Sequence, residues 1–418
     1  MSAILAAGDL VAHEVASVSV MGFDVAAVRE HFPALSEGAA HFDGPGGTQV
    51  PHVVADAVAG VLTSAVSNRG HVTASGRRAD DIVLAARAAM GEFVGVDPRG
   101  VVFGRSMTQL TYDFARTLAK TWASGDEVVV TRLDHDANIR PWVQAAVAVG
   151  AVPRWVDFDP DTGELTPADI EAVLSERTRV VAVTAASNLI GTRPPVPEIA
   201  ELVHSAGALL YVDGVHHAAH SLVDFTSLGA DFFVCSPYKF CGPHLGVLAA
   251  HPELLESLTP DKLLPSSDDV PERFEFGTLP YELLAGTTAT VDFLAGLASS
   301  AGTRRERLRS SLAAVQAHED ELRHQLEGQL AALTPVVIYS RAARRTPTLL
   351  LSVAGHESAD VQMHLAKRGV NAPAGSFYAV EASRTLGLAD DGAVRLGIAP
   401  YTDAADIDRA VAAIRELG

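Results

Sequence analysis

The chain has 418 residues, 48% of them hydrophobic and 20% charged, enough for two domains or for one large α/β core with a smaller appendage. Asp and Glu number 51 against 32 Lys and Arg, a net charge of −19, which repels nucleic acid and anionic lipid and means that any basic pocket is placed locally, against the global field. No apolar run reaches membrane-spanning length, and the early stretch AILAAGDLVA is too short, and lacks the basic lead, for a signal peptide.

Residues 1–22 carry little beyond that stretch and read as an N-terminal extension. DVAAVREHFPAL, residues 24–35, reads as one helix capped by Asp24 and ending near Pro33. From about Phe42 to Ala298 short apolar runs alternate with amphipathic ones. GVVF, EVVVT, VPRWVDF, RVVAVTA, ALLYVD and DFFVCS are the strand candidates; QLTYDFARTLAKTW, ADIEAVLSE and VPEIAELVHSAG are helices between them. Such alternation predicts an α/β large domain over residues 41–298, a mostly parallel, doubly wound sheet with helices on both faces. After YELLAGTTATVDFLAGLASSAG comes a long charged helix, and the pattern then changes through TPTLLLSV, DVQMHLAKRG, AVRLGIAP and DAADIDRAVAAIREL. That is a small α+β domain, residues 299–418 joined by residues 23–40. Internal repeats and low-complexity blocks are absent from the sequence.

In an open α/β sheet the site lies beyond the carboxyl ends of the strands. After GVVF come Ser106, Met107 and Thr108 at a helix start, by type either a phosphate cradle or simple N-capping. His135 follows EVVVT and Asn188 follows VVAVTAAS; each alone is compatible with ordinary loop or turn chemistry. Asp213 closes a strongly apolar strand, where a carboxylate needs a partner: the protonated ring nitrogen of a bound heterocycle, or a helix N-terminus to cap. HHAAH places His216 and His220 at the spacing of a zinc pair, without an intervening glutamate or a third ligand, so no metal is assigned.

Lys239 ends the next apolar run inside SPYKFCGPHLG, with Ser236 and Tyr238 beside it. An ammonium at the end of a buried strand is costly unless neutralised, paired or covalently used. An amine nucleophile, a carboxylate suited to a pyridinium and hydroxyl donors for a phosphate thus stand at successive strand ends. Together they are what pyridoxal 5′-phosphate requires: a Schiff-base lysine, a partner for the electron sink and a phosphate cup.

At these residues the chain resembles the class V aminotransferase family of fold-type I pyridoxal-phosphate enzymes, in its cysteine-desulfurase-like branch. The resemblance runs from about Phe23 to the C-terminus through HFDGPGGTQVP, DHDANIRPW, SNLIGT, YVDGVHHAAH, SPYKFCGPHLG, RFEFGTLPYE and VRLGIAPYT. It implies that Lys239 binds the cofactor aldehyde and later shuttles the proton, that Asp213 pairs with the pyridine nitrogen, and that His135 stacks on the ring. Asn188 would contact the ring hydroxyl, with His216 near the same oxygen, where desulfurases usually have glutamine. Thr108, Ser236 and Tyr238 would hold the phosphate beside Ser106 and Met107, the methionine standing where a second hydroxyl is frequent. Thr278 matches a threonine that reaches the phosphate of the neighbouring subunit, which implies a homodimer. Arg395 matches the arginine whose planar fork grips the substrate α-carboxylate.

One departure matters. Desulfurases of this branch carry a nucleophilic cysteine on a C-terminal loop; here the loop reads NAPAGSFYAVEASRTLGL, with Tyr378 in that place. The two cysteines, Cys235 and Cys241, flank the lysine instead; they cannot form a disulfide framework, which favours the cytoplasm. A protein persulfide is therefore not expected, and sulfur would leave a substrate directly. His71, Arg77, His217, Tyr378 and Arg395 are the candidates for lining the substrate side. The expected function is a C–S (β-elimination) lyase acting on an amino acid, a small-molecule substrate, with class V transamination or epimerisation as alternatives. A catalytically inactive scaffold and a zinc hydrolase using HHAAH are the readings outside this chemistry, and an intact Lys239, Asp213 and Arg395 argue against the scaffold.

Overall fold

The computed structural model describes residues 23–298 and 301–418; the extension expected over residues 1–22 lies outside them. Seven strands form the large sheet: β1 (Val101–Gly104), β2 (Glu127–Thr131), β3 (Val152–Val156), β4 (Thr178–Thr184), β5 (Leu209–Asp213), β6 (Phe232–Cys235) and β7 (Gly246–Ala250). Their order is β1-β7-β6-β5-β4-β2-β3. All run parallel except β7, which is antiparallel to both neighbours. Helices cover both faces, so the central strands read as unbroken apolar runs, and Phe232–Cys235 are all buried.

Strand β7, GVLAA, has no counterpart among the predicted strands. Its glycine and two alanines keep it from standing out by β-propensity, yet it turns SPYKFCGPHLG into a connection between adjacent strands. VPRWVDF supplies a strand only as far as Val156, and ADIEAVLSE only the short helix Pro167–Glu171. The helix expected over residues 24–35 is also broken. Val25–Arg29 is helical, with the Asp24 carboxylate accepting from the Ala27 N–H, and Pro33–Glu37 forms a separate 3₁₀ turn. Pro33 is the cause: its ring pushes the preceding residue out of the helical region, and Phe32 sits at φ −108°, ψ 94°.

The C-terminal strands β8 (Val336–Ile338), β9 (Thr348–Val353), β10 (Ala374–Gly375) and β11 (Ala393–Gly397) make an antiparallel sheet in the order β10-β11-β9-β8. Ala40–His41 pairs in parallel with Val370–Asn371, and Phe42 joins the apolar core of this sheet with Leu396 and Ile407. The helix Arg304–Ala331 opens with a Thr303–Glu306 capping box and spans both cores through Leu308 and Leu326. Among the described residues no helix is long and apolar enough to cross a membrane.

Candidate active site

A cavity of about 600 Å³ opens where the parallel strands end and β11 approaches them. Strand β6 is buried to Cys235, and Pro237 then starts the turn Pro237–Lys239 that swings the lysine into this space. Lys239 Nζ donates to the carbonyl oxygens of Pro45 at 2.6 Å and Gly46 at 3.1 Å. Burial, aided by the Arg395 charge and opposed by Asp213, lowers its pKa to about 7. Near neutrality, then, a good part of the amine is uncharged, as a general base must be.

Asp213 closes β5 on the neighbouring strand end. Its Oδ1 accepts the Val215 N–H at 2.9 Å, and burial raises its pKa to about 6 against the pull of Lys239. Gly214 follows because a Cβ there would lie 1.9 Å from the Phe233 ring. Beneath the His135 loop lies Asp134, which sequence reasoning missed. It bonds Thr131 and, at 2.7 Å, Asn138, and burial pushes its pKa up to about 8. It braces the loop as a mostly neutral acid, and the DHD pattern alone does not say which aspartate points inward.

His135 Nδ1 accepts from the Ala137 N–H at 3.0 Å, which leaves the ring proton on Nε2. Burial first, then the charges of Lys239 and Arg395, lower its pKa to about 4, so an uncharged flat ring faces the cavity. Asn188 Nδ2 donates to the Phe377 carbonyl at 2.9 Å, and its own backbone carbonyl accepts Arg395 Nη1 at 2.8 Å. His216 Nε2 lies 3.0 Å from each of the Thr346 and Thr348 hydroxyls, and burial keeps the imidazole neutral. Met107, Thr108 and Tyr238 line the same cavity. Ser106 does not: its hydroxyl caps the helix Met107–Ala119 by accepting the Gln109 N–H at 3.1 Å.

Arg395 rises from β11, buried, with its guanidinium carbon 3.7 Å from the Phe377 ring centroid. Burial lowers its pKa to about 9, leaving it cationic at neutrality. Phe377 and Tyr378 hold left-handed backbone (φ 52° and 61°) and roof the cavity. The Tyr378 ring stacks near His135, centroids 5.5 Å apart, and its carbonyl accepts the Asp136 N–H at 2.8 Å. Just beyond the roof, Glu381 pairs with Arg132 at 2.9 Å and Arg140 at 2.5 Å. Neither arginine stood out in sequence, because their shared partner is more than 200 positions away.

Four other expected residues stand apart. His71 is exposed beside Asp80, and Arg77 donates to the His71 and Val72 carbonyls of its own loop. His217 turns into the interior, where burial lowers its pKa to about 3. Thr278 is exposed at a different cavity of about 270 Å³, with Phe103, Arg105 and His244. Both cysteines are buried, and burial drives the Cys235 thiol pKa upward and that of Cys241 to about 12. His216 and His220 serve different partners, and among the described residues no group of three His, Cys, Asp or Glu converges on a metal position.

Among the described residues, Asn188 Oδ1 and Arg395 Nε at the cavity, and Ser236 Oγ three positions before the lysine, are buried without a hydrogen-bond partner. With them the residues present fit pyridoxal phosphate: Lys239 would take the aldehyde, Asp213 the ring nitrogen, and Asn188 and His216 would lie by the ring hydroxyl. Thr108, Ser236 and the N–H groups opening the helix Met107–Ala119 suit the phosphate.

The model of the family Aminotransferase class-V matches residues 40–410. The chain is 30% identical to a probable cysteine desulfurase of Pseudomonas aeruginosa, over 91% of this chain and 95% of that protein. It is similar to the solved cysteine desulfurase CsdA of Escherichia coli, with a TM-score of 0.82 and 25% identity, covering 94% of this chain and 98% of that one. A C-DES structure with glycine covalently linked to its pyridoxal-phosphate cofactor shares the fold, with a TM-score of 0.77 and 20% identity over 93% and 99% of the two chains.

Proposed function

The chain belongs to the class V aminotransferase family and is a pyridoxal-phosphate-dependent, cysteine-desulfurase-like enzyme, and within that family we propose a C–S lyase that cleaves a sulfur-containing amino acid by β-elimination without a protein persulfide. Bound pyridoxal phosphate supplies the electron sink for the pair left at Cα. Lys239, which holds the aldehyde, takes the Cα proton at Nζ once it is released as a neutral amine. Asp213 keeps a proton on the ring nitrogen, and His135 presents its uncharged face to the ring. Arg395 binds the α-carboxylate through its planar fork, with Phe377 fixing the guanidinium plane. Tyr378 lines the cavity from its exposed edge, where it would shield a bound substrate from water.

The observation that carries this reading is the absence of a usable thiol at the site. The roof presents Tyr378, and both thiols are buried with pKa values driven up, Cys241 to about 12. A thiol held protonated accepts no sulfur. The substrate's sulfur therefore departs as a thiol or sulfide, and the remaining carbon skeleton hydrolyses to keto acid and ammonia. We further assign Thr278 to the phosphate of a neighbouring subunit in a homodimer. The cysteine usage supports a cytoplasmic setting.

A panel of cysteine, cystine, S-substituted cysteines and their sulfoxides tests the reaction. Keto acid and thiol or sulfide are expected without any added amino acceptor. Keto acid formed only when an acceptor is supplied overturns the lyase in favour of transamination. Borohydride reduction of the holoprotein followed by peptide mass analysis tests the cofactor's attachment, expected on Lys239.

A further inference from the structure

A second, small cavity shares Pro45, His216 and Lys239 with the large one and is completed by Thr48, His220 and Cys241, among others. Its volume of about 10 Å³ is the room of one water. His220 Nδ1 meets Glu319 Oε2 at 2.9 Å, which leaves Nε2 for this cavity. Glu319 comes from the middle of the helix Arg304–Ala331, is 1% exposed, and among the described residues has no partner for Oε1. A buried carboxylate with one oxygen unmatched is expensive, and among the described residues Glu319 makes no ion pair with Lys or Arg. The reaction proposed above assigns neither residue a part.

We propose that the His220–Glu319 pair is a proton acceptor for Lys239, connected to it through one water in the small cavity. A proton on Lys239 Nζ passes to the water while the water passes one to His220 Nε2. One N–H bond breaks at Nζ, one forms at Nε2, and the water is restored. Burial raises the pKa of Glu319 and the facing His220 lowers it, so the imidazolium that forms holds Glu319 as the carboxylate through its Nδ1–H. The lysine becomes a neutral base with no proton lost from the protein, and the pair can return that proton later in the cycle. Because they act through Lys239, His220 and Glu319 are positioning residues. The proposal rests on the pyridoxal-phosphate reading, which gives a neutral Lys239 its use.

The groups facing the pair do not compete for this proton. His216 lies edge-on to His220, ring centroids 4.9 Å apart, but burial keeps it neutral and its Nε2 is taken by two threonines. His217, on the same turn, has its pKa lowered to about 3. Cys241 and Tyr401 stay protonated because burial raises both. Asp320, next along the helix, pairs with Arg323. Arg395 is cationic and supplies no acceptor.

The test follows acylation of the Lys239 amine by an amine-directed anhydride in the full chain freed of cofactor, by peptide mass, from about pH 5 to about pH 8. In the wild type, internal transfer populates the neutral amine, so the rate changes by less than about threefold per pH unit on the acid side. His220→Gln removes the acceptor and Glu319→Gln the charge that stabilises its imidazolium, and their rates fall about tenfold per unit, the slope of an isolated amine. Variant curves that overlay the wild type overturn the relay. So does a wild-type curve that itself falls tenfold per unit, which decides the matter even if neither variant folds. Borohydride labelling of the holoprotein stands apart from this: its failure removes the cofactor reading and leaves the acylation slopes to be judged on their own.

Discussion

The floor of the cavity and its roof are held in place by different forces. Asp213 ends one central strand and Lys239 follows the next, where Asp213 pairs with Val234 and both strand ends are buried. Close packing fixes them, and dissolved salt leaves packing almost untouched. Phe377 and Tyr378 instead lie on a loop in left-handed backbone, pinned by hydrogen bonds from Asn188 and Asp136 and by the ion pairs of Glu381. Arg132 and Arg140 are about a third exposed, so these pairs are open to screening. The contrast separates two abilities. On the proposed reading, proton chemistry belongs to the floor and closure over the substrate to the roof.

The sharpest way to break that comparison is to remove the floor's amine. Lys239→Ala is expected to lower kcat by about 10⁴-fold or more, because nucleophile and general base are lost together. The melting temperature should stay within a few degrees, since among the described residues Nζ hydrogen-bonds only the Pro45 and Gly46 carbonyls. Turnover and thermal unfolding measured on the same preparation check both halves; retained activity would remove Lys239 from the chemistry.

Arg395 joins floor to roof, bonding the Asn188 carbonyl and stacking on Phe377. Arg395→Lys keeps the charge but loses the fork and the flat face. A rise in KM of about 10- to 100-fold, with a smaller change in kcat, is expected for a lost bidentate carboxylate contact. An unchanged KM would mean that another group holds the carboxylate.

The same division explains what the sequence reveals. Lys239, Asp213, His135, Asn188 and Thr108 are legible because an apolar run marks each strand and the α/β rule directs attention to its end. Their immediate supports are not: the Pro45 and Gly46 carbonyls are backbone atoms, and Asp134 differs from Asp136 only in the direction of its side chain. Ser106 shows how one residue type suits two roles, since its hydroxyl is committed to a helix cap. His71 and Arg77 lie in a loop whose position no local pattern reports, and His217 is turned inward by the turn that presents His216. Contacts such as Glu381 with Arg132, or Glu319 with His220, join residues far apart in the chain, so no spacing encodes them. Likewise, β7 is weak as a strand until its neighbours are in place.

The smallest effect is also the one that tests the roof alone. Glu381→Gln leaves the shape of the side chain and removes the charge shared by Arg132 and Arg140. Partly exposed pairs contribute about 1 kcal/mol, so the variant should raise KM by about fivefold and leave kcat within about twofold. Screening acts on the same contact from outside: added salt should raise the KM of the wild type and hardly affect that of the variant. Lys239 acylation, a property of the floor, should be the same in both. If salt shifts the two KM values in parallel, the Glu381 pairs do not hold the roof, and the loop is kept in place by its backbone hydrogen bonds and by the stacking of Phe377 on Arg395.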